Sequence, residues 1–336
     1  SSAASDVYKR QRLYHSVGIA DNTRDILGVL PKSRLKMKNF RSIGLMLVFV
    51  ASLLAGCTSD NVMTGSSQVE NQEVVFNLFE HSISDIETRG DGSGNKALAD
   101  CGLFSELEVA LIPDGGTMES AYVVRQDDAM DNFGQVKMYV PEGTYHLIIV
   151  AANTPKPIGK SRVDIKSVTE VVFPNNSVPD MAYCYKDITI ASSGKSHSFD
   201  CVLKRAVAAL KIQTTDKFTG NSKNLSIKMS GNCGNVLNPS TGHCSSKAAV
   251  NKVFNLAKYV GKPLGLTFYV IPGEDEVEDV SVTVDVFDKN DKVIKSNSFS
   301  NVHLVTGKRT TYTGPFSSYT TGFSINVGEA DIADSG

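Results

Sequence analysis

Cys57 ends a short apolar run and has the clearest chemical role in this sequence. A basic segment, residues 37–42, precedes the run at residues 43–54, and small residues ending in Gly56 follow it. Such a run is long enough for a signal peptide but too short to span a bilayer. The pattern predicts a bacterial lipoprotein signal, with cleavage between Gly56 and Cys57 and acyl chains such as palmitate carried on Cys57. The alternative is an ordinary signal peptide with an incidental cysteine.

The position of the signal divides the chain into segments. Residues 1–11 resemble a translated sequencing adapter, and residues 1–36 are expected to lie upstream of the true start at Met37. The lipoprotein signal peptide covers residues 37–56, and residues 57–72 are expected to form a flexible tether. Without the signal and everything before it, 25 basic and 33 acidic residues remain, a net charge of -8. This acidity argues against nucleic acid as a partner, and the lipid anchor supplies the membrane contact.

Export permits disulfides, and five cysteines follow Cys57. Cys184 and Cys201 lie on the two arms of a predicted hairpin, although counting from its turn does not place them directly opposite each other. Cys233 and Cys244 bracket a turn-rich loop that a disulfide would close. Either pair is a possible disulfide, and buried free thiols are the alternative. Cys101 has no evident partner in the sequence.

Strand patterns dominate the chain from residue 73 onward. Apolar residues alternate with polar or small ones over 106–112 and 280–287, which predicts strands with one buried and one exposed face. Residues 145–151 and 264–271 are almost continuously apolar, as in central strands that are covered on both faces. Helical signal is confined to short stretches such as 161–168 and 245–259.

Turn residues separate the predicted strands at short intervals, which is typical of antiparallel β-sandwiches. The boundary between two sandwiches is predicted near residue 205. The N-terminal sandwich would cover residues 73–205 and the C-terminal sandwich residues 206–336. The predicted fold class is all-β, with two tandem antiparallel β-sandwich domains behind a lipoprotein signal peptide.

Motifs for catalysis or metal binding are weak. No G-x-S-x-G motif occurs, and no nucleophile has a visible base partner. His243 and Cys244 with Cys233 lack the paired spacing and the fourth ligand of a zinc site. The sequence therefore predicts no enzyme, no cofactor and no metal.

Three passages carry a family resemblance. Residues 140–154 (VPEGTYHLIIVAANT), followed by IGKS at 158–161, resemble a strand and turn of the fimbrillins, the lipoprotein precursors of the type V pili of Bacteroidales. Residues 198–210 (SFDCVLKRAVAAL) resemble the strand around an L-x-R motif that joins the two sandwiches of that family. Residues 304–312 (LVTGKRTTY) are similar to its penultimate strand.

The resemblance implies transthyretin-like sandwiches and assembly by strand complementation. In this family a trypsin-like protease removes the first strand, and a strand of a neighbouring subunit fills the groove. Here the removable segment would be residues 73–89, with cleavage between Arg89 and Gly90. The donor strand would lie in residues 316–327, where the apolar residues alternate: Phe323, Ile325 and Val327. An ordinary last strand of the second sandwich is the alternative for that segment.

The function expected from the resemblance is that of a structural subunit of a surface fimbria that supports adhesion. The partners would be other fimbrial subunits, in a homopolymer or heteropolymer, and a host or bacterial surface ligand. The protein would be lipid-anchored in the outer membrane and present in the fimbrium. Stalk, tip and anchor roles all stay open. The alternative is a monomeric surface lipoprotein that binds a ligand or carbohydrate, although the absence of Trp argues against a site that stacks on sugars.

Overall fold

The computed structural model describes residues 70–81, 95–156, 162–192, 196–315 and 329–331. These residues form an all-β fold of antiparallel sandwiches, as the sequence predicts. In this part of the chain, no helix has the length and apolar character required to cross a membrane.

The strands of the described residues run in chain order as β1 (Gln72–His81), β2 (Asn95–Ala97), β3 (Glu106–Pro113), β4 (Tyr122–Asp127), β5 (Gln135–Val140), β6 (Gly143–Ala152), β7 (Asp164–Ser167), β8 (Glu170–Val172), β9 (Met181–Ile190), β10 (His197–Arg205), β11 (Ala208–Thr214), β12 (Ser222–Ser230), β13 (Cys233–Gly234), β14 (Leu237–Asn238), β15 (His243–Cys244), β16 (Val250–Asn255), β17 (Gly265–Pro272), β18 (Glu276–Asp288), β19 (Val293–Val305), β20 (Lys308–Gly314) and β21 (Glu329–Asp331). The helical segments are short: α1 (Leu98–Cys101) and three 3-10 turns at Met118–Ser120, Pro174–Asn176 and Ala257–Tyr259.

The first sandwich packs two sheets over one apolar core. In one sheet β1 lies between β10, which runs parallel to it, and β5 and β2, which run antiparallel. The other sheet has the order β4-β3-β6-β9 and is antiparallel throughout. The two sheets meet where Lys204 and Arg205 of β10 pair with Tyr183 and Ala182 of β9. Alternate residues of β1 and β5 point into this first core because side chains along a strand alternate between faces.

The second sandwich is built from β11 onward. One of its sheets has the order β13-β17-β11-β20-β21, and the other has the order β16-β12-β18-β19. Within the first of these, β11 runs parallel to β20 and antiparallel to β17. A second core fills the space between the sheets, and Leu210, Phe268 and Val284 are among its buried residues.

A third core joins the two sandwiches and is called the shared core below. Ile148, Val150 and Ala152 of β6 enter it, whereas Leu147 and Ile149 of the same strand enter the first core. Ala209 of β11 and Ile271 of β17 enter the shared core from the second sandwich. A small four-stranded sheet of order β15-β14-β8-β7 also crosses the boundary near residue 205, through the pairing of β14 with β8. The prediction that 145–151 is covered on both faces is therefore confirmed.

The exposed face predicted for 106–112 is wrong. Glu106 and Glu108 of β3 are only 3% and 2% exposed, because this face of the sheet is also covered. Arg125 donates a hydrogen bond to Glu108 at 2.7 Å, and the backbone N–H of Val163 donates to Glu106 at 3.2 Å. Burial raises the pKa of both carboxyl groups above the usual range. The alternation of polar and apolar residues marks the two faces of β3 correctly but not their exposure.

The short helices expected at 161–168 and 245–259 are also wrong in the described parts of both stretches. Asp164–Ser167 is strand β7, and Val250–Asn255 is strand β16. Only Ala257–Tyr259 forms a single 3-10 turn. Pairing with β8 and with β12 outweighs the weak local helix propensity in each case.

Because the shared core draws side chains from both sandwiches, Ile148→Ala is expected to destabilise both. Ile148 is fully buried, so truncation should lower the free energy of unfolding by about 2–5 kcal/mol. Urea unfolding followed by circular dichroism measures this change. Val253→Ala on β16 is the matched control: Val253 is 58% exposed, and its loss should change stability by no more than about 0.5 kcal/mol. Equal losses in the two variants would contradict the shared core.

Candidate strand-exchange site

β1 occupies a slot between two neighbouring strands, although it is the first strand in the described chain. It pairs with β10 in parallel from Val74 to Glu80 and with β5 antiparallel from Gln72 to Asn77. The backbone N–H of Leu78 then donates to the carbonyl of Gly134 at 3.0 Å. The slot is defined below as the space between β5 and β10 that β1 fills. Removal of β1 would leave backbone groups unpaired on both sides of this slot.

The inner face of β1 is apolar. Val74 and Phe76 are completely buried, and Leu78 is 2% exposed. All three belong to the first core, and the Phe76 ring stacks on Phe199 of β10 with ring centroids 5.7 Å apart. The slot therefore presents a row of apolar pockets spaced two residues apart along the strand.

The outer face of β1 carries Val75 and Phe79 and two polar residues that contact the neighbouring strands. The amide of Asn77 donates to Asp200 of β10 at 3.0 Å and accepts from Gln135 of β5 at 3.2 Å. Glu73 accepts a hydrogen bond from Lys137 at 3.1 Å. These contacts lie near solvent and fix the register of β1 without burying charge.

Glu80, Arg205 and Asp180 form a buried ion triad at the end of the slot. Arg205 Nη1 lies 3.1 Å from Glu80 Oε1, and its Nε and Nη2 donate to the two oxygens of Asp180 at 3.0 and 3.2 Å. The side chains of Glu80, Asp180 and Arg205 are 8%, 10% and 11% exposed. The guanidinium also lies 5.9 Å from the ring of Phe104. Such a bidentate arrangement favours Arg over Lys.

The charges of the triad compensate one another only in part. Burial raises the pKa of Glu80 above its usual range, against the charge of Arg205, and the charge of Asp180 adds to the rise. Burial alone would lower the pKa of Arg205, but the two carboxylates outweigh burial and raise it. Ionised Glu80 is therefore tolerated in the slot only because Arg205 is present.

Cys184 and Cys201 lie beside the slot. Cys201 of β10 pairs in register with Leu78 of β1, and Cys184 lies on β9. The two thiols share a hydrogen bond, which lowers the pKa of Cys184 and, with burial, raises that of Cys201. Both thiols are free in the structure. The structure brings this predicted pair together, and the disulfide itself stays a prediction.

Cys233 and Cys244 are also free thiols. Cys233 is buried in the second core, where burial raises its pKa to about 12, whereas Cys244 packs against the shared core. His243, its neighbour on β15, pairs with Asn238 of β14. A disulfide between these two cysteines likewise stays a prediction.

The other predicted site residues lie outside the described residues: Gly56, Cys57, Arg89, Gly90, Phe323, Ile325 and Val327. Sequence reasoning did not find the ion triad, although Arg205 is the arginine of the quoted L-x-R motif. Glu80 and Asp180 are separated from it by 125 and 25 residues, so only the fold brings the three together. The cluster of Glu276, Glu278 and His303 on two neighbouring strands is likewise invisible in the sequence.

A sequence profile of DUF6562, a family of unknown function, matches residues 161–332. The chain belongs to DUF6562. The DUF6562 segment contains β7 to β21, so it includes β10 and Arg205 of the slot, whereas β1 and β5 precede it. No curated protein sequence matches the chain.

The chain is also similar to solved structures of Bacteroidales proteins, the group whose fimbrillins its motifs resemble. A candidate adhesin of Bacteroides ovatus matches with 13% identity and a TM-score of 0.47, over 74% of this chain and 88% of that one. The fimbrial anchor protein Mfa2 of Porphyromonas gingivalis matches with 10% identity and a TM-score of 0.38, over 72% and 90%. A fimbrial assembly protein of Parabacteroides distasonis matches with 15% identity and a TM-score of 0.37, over 74% and 93%.

The ion triad predicts a large difference between two neighbouring basic residues of β10. Arg205→Met would leave two buried carboxylates unpaired and should lower the free energy of unfolding by about 3–5 kcal/mol at pH 7. Lys204→Met removes an exposed ammonium that lies 5.4 Å from the centroid of the Tyr183 ring, and it should cost no more than about 1 kcal/mol. Urea unfolding at pH 7 and at pH 5 measures the loss of stability in both variants.

The pH dependence of this loss has a definite sign. The pKa of Glu80 is raised in the folded protein, so the folded state loses stability as pH rises from the unfolded pKa of Glu80 to its folded pKa. Without Arg205 this cost increases, and the deficit of Arg205→Met should therefore be larger at pH 7 than at pH 5. A deficit that is equal at both pH values, or equal to that of Lys204→Met, would contradict the role assigned to the triad.

Proposed function

We propose that this chain is a structural subunit of a cell-surface fimbria, exported as a lipoprotein and assembled by exchange of β1 for a strand of a neighbouring subunit. Its role is structural and adhesive, not enzymatic. Its partners are other fimbrial subunits. The protein is lipid-anchored at the outer membrane and faces the cell surface. The position of β1 in the slot is the observation that carries the proposal.

An empty slot would be strongly unfavourable. The three inner side chains of β1 each contribute roughly 1.5–3 kcal/mol through burial, and backbone groups of both β5 and β10 would lose their partners. An incoming strand with alternating apolar residues would restore both the apolar burial and the backbone hydrogen bonds by β-augmentation. The chain between β1 and β2, residues 82–94, contains Arg89, the predicted cleavage point. Cleavage there would separate β1 from the remainder of the sandwich.

The C-terminal sequence repeats the chemical pattern of β1. Residues 74–80 read VVFNLFE, and residues 323–329 read FSINVGE. The inner positions Val74, Phe76 and Leu78 correspond to Phe323, Ile325 and Val327. Asn77 corresponds to Asn326, and Glu80, the partner of Arg205, corresponds to Glu329. Glu329 pairs with Thr310 of β20 in the structure, so exchange would require β21 to leave β20. A donor strand in this register would then supply both the apolar side chains and the carboxylate that the slot holds.

Limited proteolysis tests the exchange. An arginine-specific protease at limiting dose, added to the chain that begins at residue 58, should cut after Arg89 and yield a series of multimers by mass and light scattering. Arg89→Gln should stay uncut and monomeric. A chain that is cut but remains monomeric, or multimers that form equally from Arg89→Gln, would refute the exchange.

A peptide of residues 321–331 tests the donor register. It should bind the cleaved chain in place of β1, and peptides carrying Ile325→Asp or Glu329→Gln should bind at least tenfold more weakly. Ile325→Asp would place a charge in an apolar pocket, and Glu329→Gln would leave Arg205 with one carboxylate. Fluorescence anisotropy of the labelled peptide measures the affinity. Equal affinity of all three peptides would exclude this register.

The lipid anchor has a separate test. In cells supplied with a labelled palmitate analogue, the full chain should incorporate label and fractionate with the outer membrane. Cys57→Ala should lose the label and the membrane association, whereas Cys101→Ala should keep both. Labelled Cys57→Ala protein would contradict lipidation at this cysteine.

The alternative function is a monomeric surface lipoprotein that binds a ligand or carbohydrate. One cleft of about 460 Å³ is lined by polar groups, including Asn153, Asp180 and Lys252, with Tyr269 on its wall. Burial raises the pKa of Tyr269 to about 12, so its hydroxyl stays protonated and able to donate a hydrogen bond. Glycan-array binding by the uncut monomer, lost in Tyr269→Ala, would favour this alternative.

A further inference from the structure

Two strands of the second sandwich bring together three side chains that can ligate a metal. Glu276 and Glu278 lie two residues apart on β18 and both face outward, since Val277 between them points into the second core. His303 lies on the neighbouring strand β19, and its Nε2 is 2.7 Å from Glu276 Oε1. One nitrogen or oxygen of each of the three residues lies within 4.8 Å of those of the other two.

The surrounding cleft is acidic. It has a volume of about 560 Å³, and its lining also includes Glu274, Asp279 and Asn301. Among the described residues that line it, none is Lys or Arg. Four carboxyl groups thus share one cleft whose lining carries no lysine or arginine to offset their charge. A bound cation would relieve the repulsion between them.

Asn232 positions one of these carboxylates. It lines the same cleft but is only 7% exposed. Its Nδ2 donates to Glu274 at 3.2 Å, whereas its buried Oδ1 accepts no hydrogen bond from the described residues. The Oδ1 packs against Gly273, so the amide turns its Nδ2 toward the cleft and holds the Glu274 carboxylate there.

We propose that Glu276, Glu278 and His303 bind a divalent transition-metal ion of the Zn²⁺ class. Imidazole and carboxylate are established ligands of Zn²⁺, whereas Ca²⁺ and Mg²⁺ prefer oxygen ligands alone. Three protein ligands leave at least one coordination position for water or for a group from another molecule. The ion would also tie β18 to β19 across a stretch where their register shifts between Val277 and Val282.

A second histidine in the structure shows why this geometry is selective. His146 also contacts two carboxylates, but Asp187 lies 2.6 Å from its Nδ1 and Asp114 lies 3.6 Å from its Nε2. Because the two carboxylates lie at opposite nitrogens of the ring, they cannot meet at one ion bound to either nitrogen. His146 is therefore a matched control for His303.

Zinc titration of the chain that begins at residue 58 tests the site. Competition with a chromophoric chelator at pH 7 should show one Zn²⁺ site, and both His303→Gln and Glu278→Gln should weaken the affinity at least tenfold. His146→Gln should bind as the parent chain does. Zn²⁺ should also raise the melting temperature of the parent chain but not that of His303→Gln, with circular dichroism confirming that each variant is folded.

Three results would overturn the assignment. The first is the absence of Zn²⁺ binding by the folded parent chain. The second is unchanged binding by His303→Gln, which would place the ion elsewhere. The third is an equal affinity for Ca²⁺ that survives His303→Gln, which would indicate general attraction to an acidic cleft. None of these results depends on fimbrial assembly, so the metal site and the proposed function can fail separately.

Discussion

The central strands β3 and β6 of the sheet β4-β3-β6-β9 are covered on both faces, and the positions of the other layers depend on them. Each residue of β6 from Leu147 to Ala152 is fully buried, with successive side chains entering the first core and the shared core in turn. No face of this sheet can turn toward water without losing one of the two cores. Its edge strand β9 pairs with β10 beside the ion triad, so the slot is positioned by the most constrained part of the molecule.

The sequence predicts the fold class better than it predicts which strand faces are exposed to solvent. The continuous apolar run of β6 correctly indicates two covered faces, because such a run satisfies both cores at once. Glu106 and Glu108 of β3 suggest a solvent-exposed face, because a carboxylate in a strand usually faces solvent. They are buried instead, since Arg125 and the backbone N–H of Val163, which bind them, come from other parts of the chain. The short segment around Val250 misleads for a related reason: its pairing partner in β12 is not visible in its own sequence.

The candidate functional residues can likewise be predicted only where a single segment contains them. A motif contained in one segment, such as the predicted lipidation cysteine at the end of an apolar run, can be proposed from the sequence alone. The ion triad and the Glu276–Glu278–His303 cluster join separate strands, so the spacing in the chain carries little signal. A buried ion group such as the triad contributes little net stability, and its proposed value lies in selecting one strand register over another. Glu80 at the end of β1 fits that role, because a shift of the strand by one residue would move its carboxylate away from Arg205 and turn Asn77 toward the core.

Only Ala206 and Val207 separate β10 from β11, and both are completely buried in the shared core. The chain therefore passes from one sandwich to the other with no exposed linker. A pulling force applied along β10 would pass directly into β11, whose parallel pairing with β20 places its hydrogen bonds side by side across the direction of pull. Those bonds would share the load and would not break one after another. Under tension the two sandwiches would therefore move together as one stiff element.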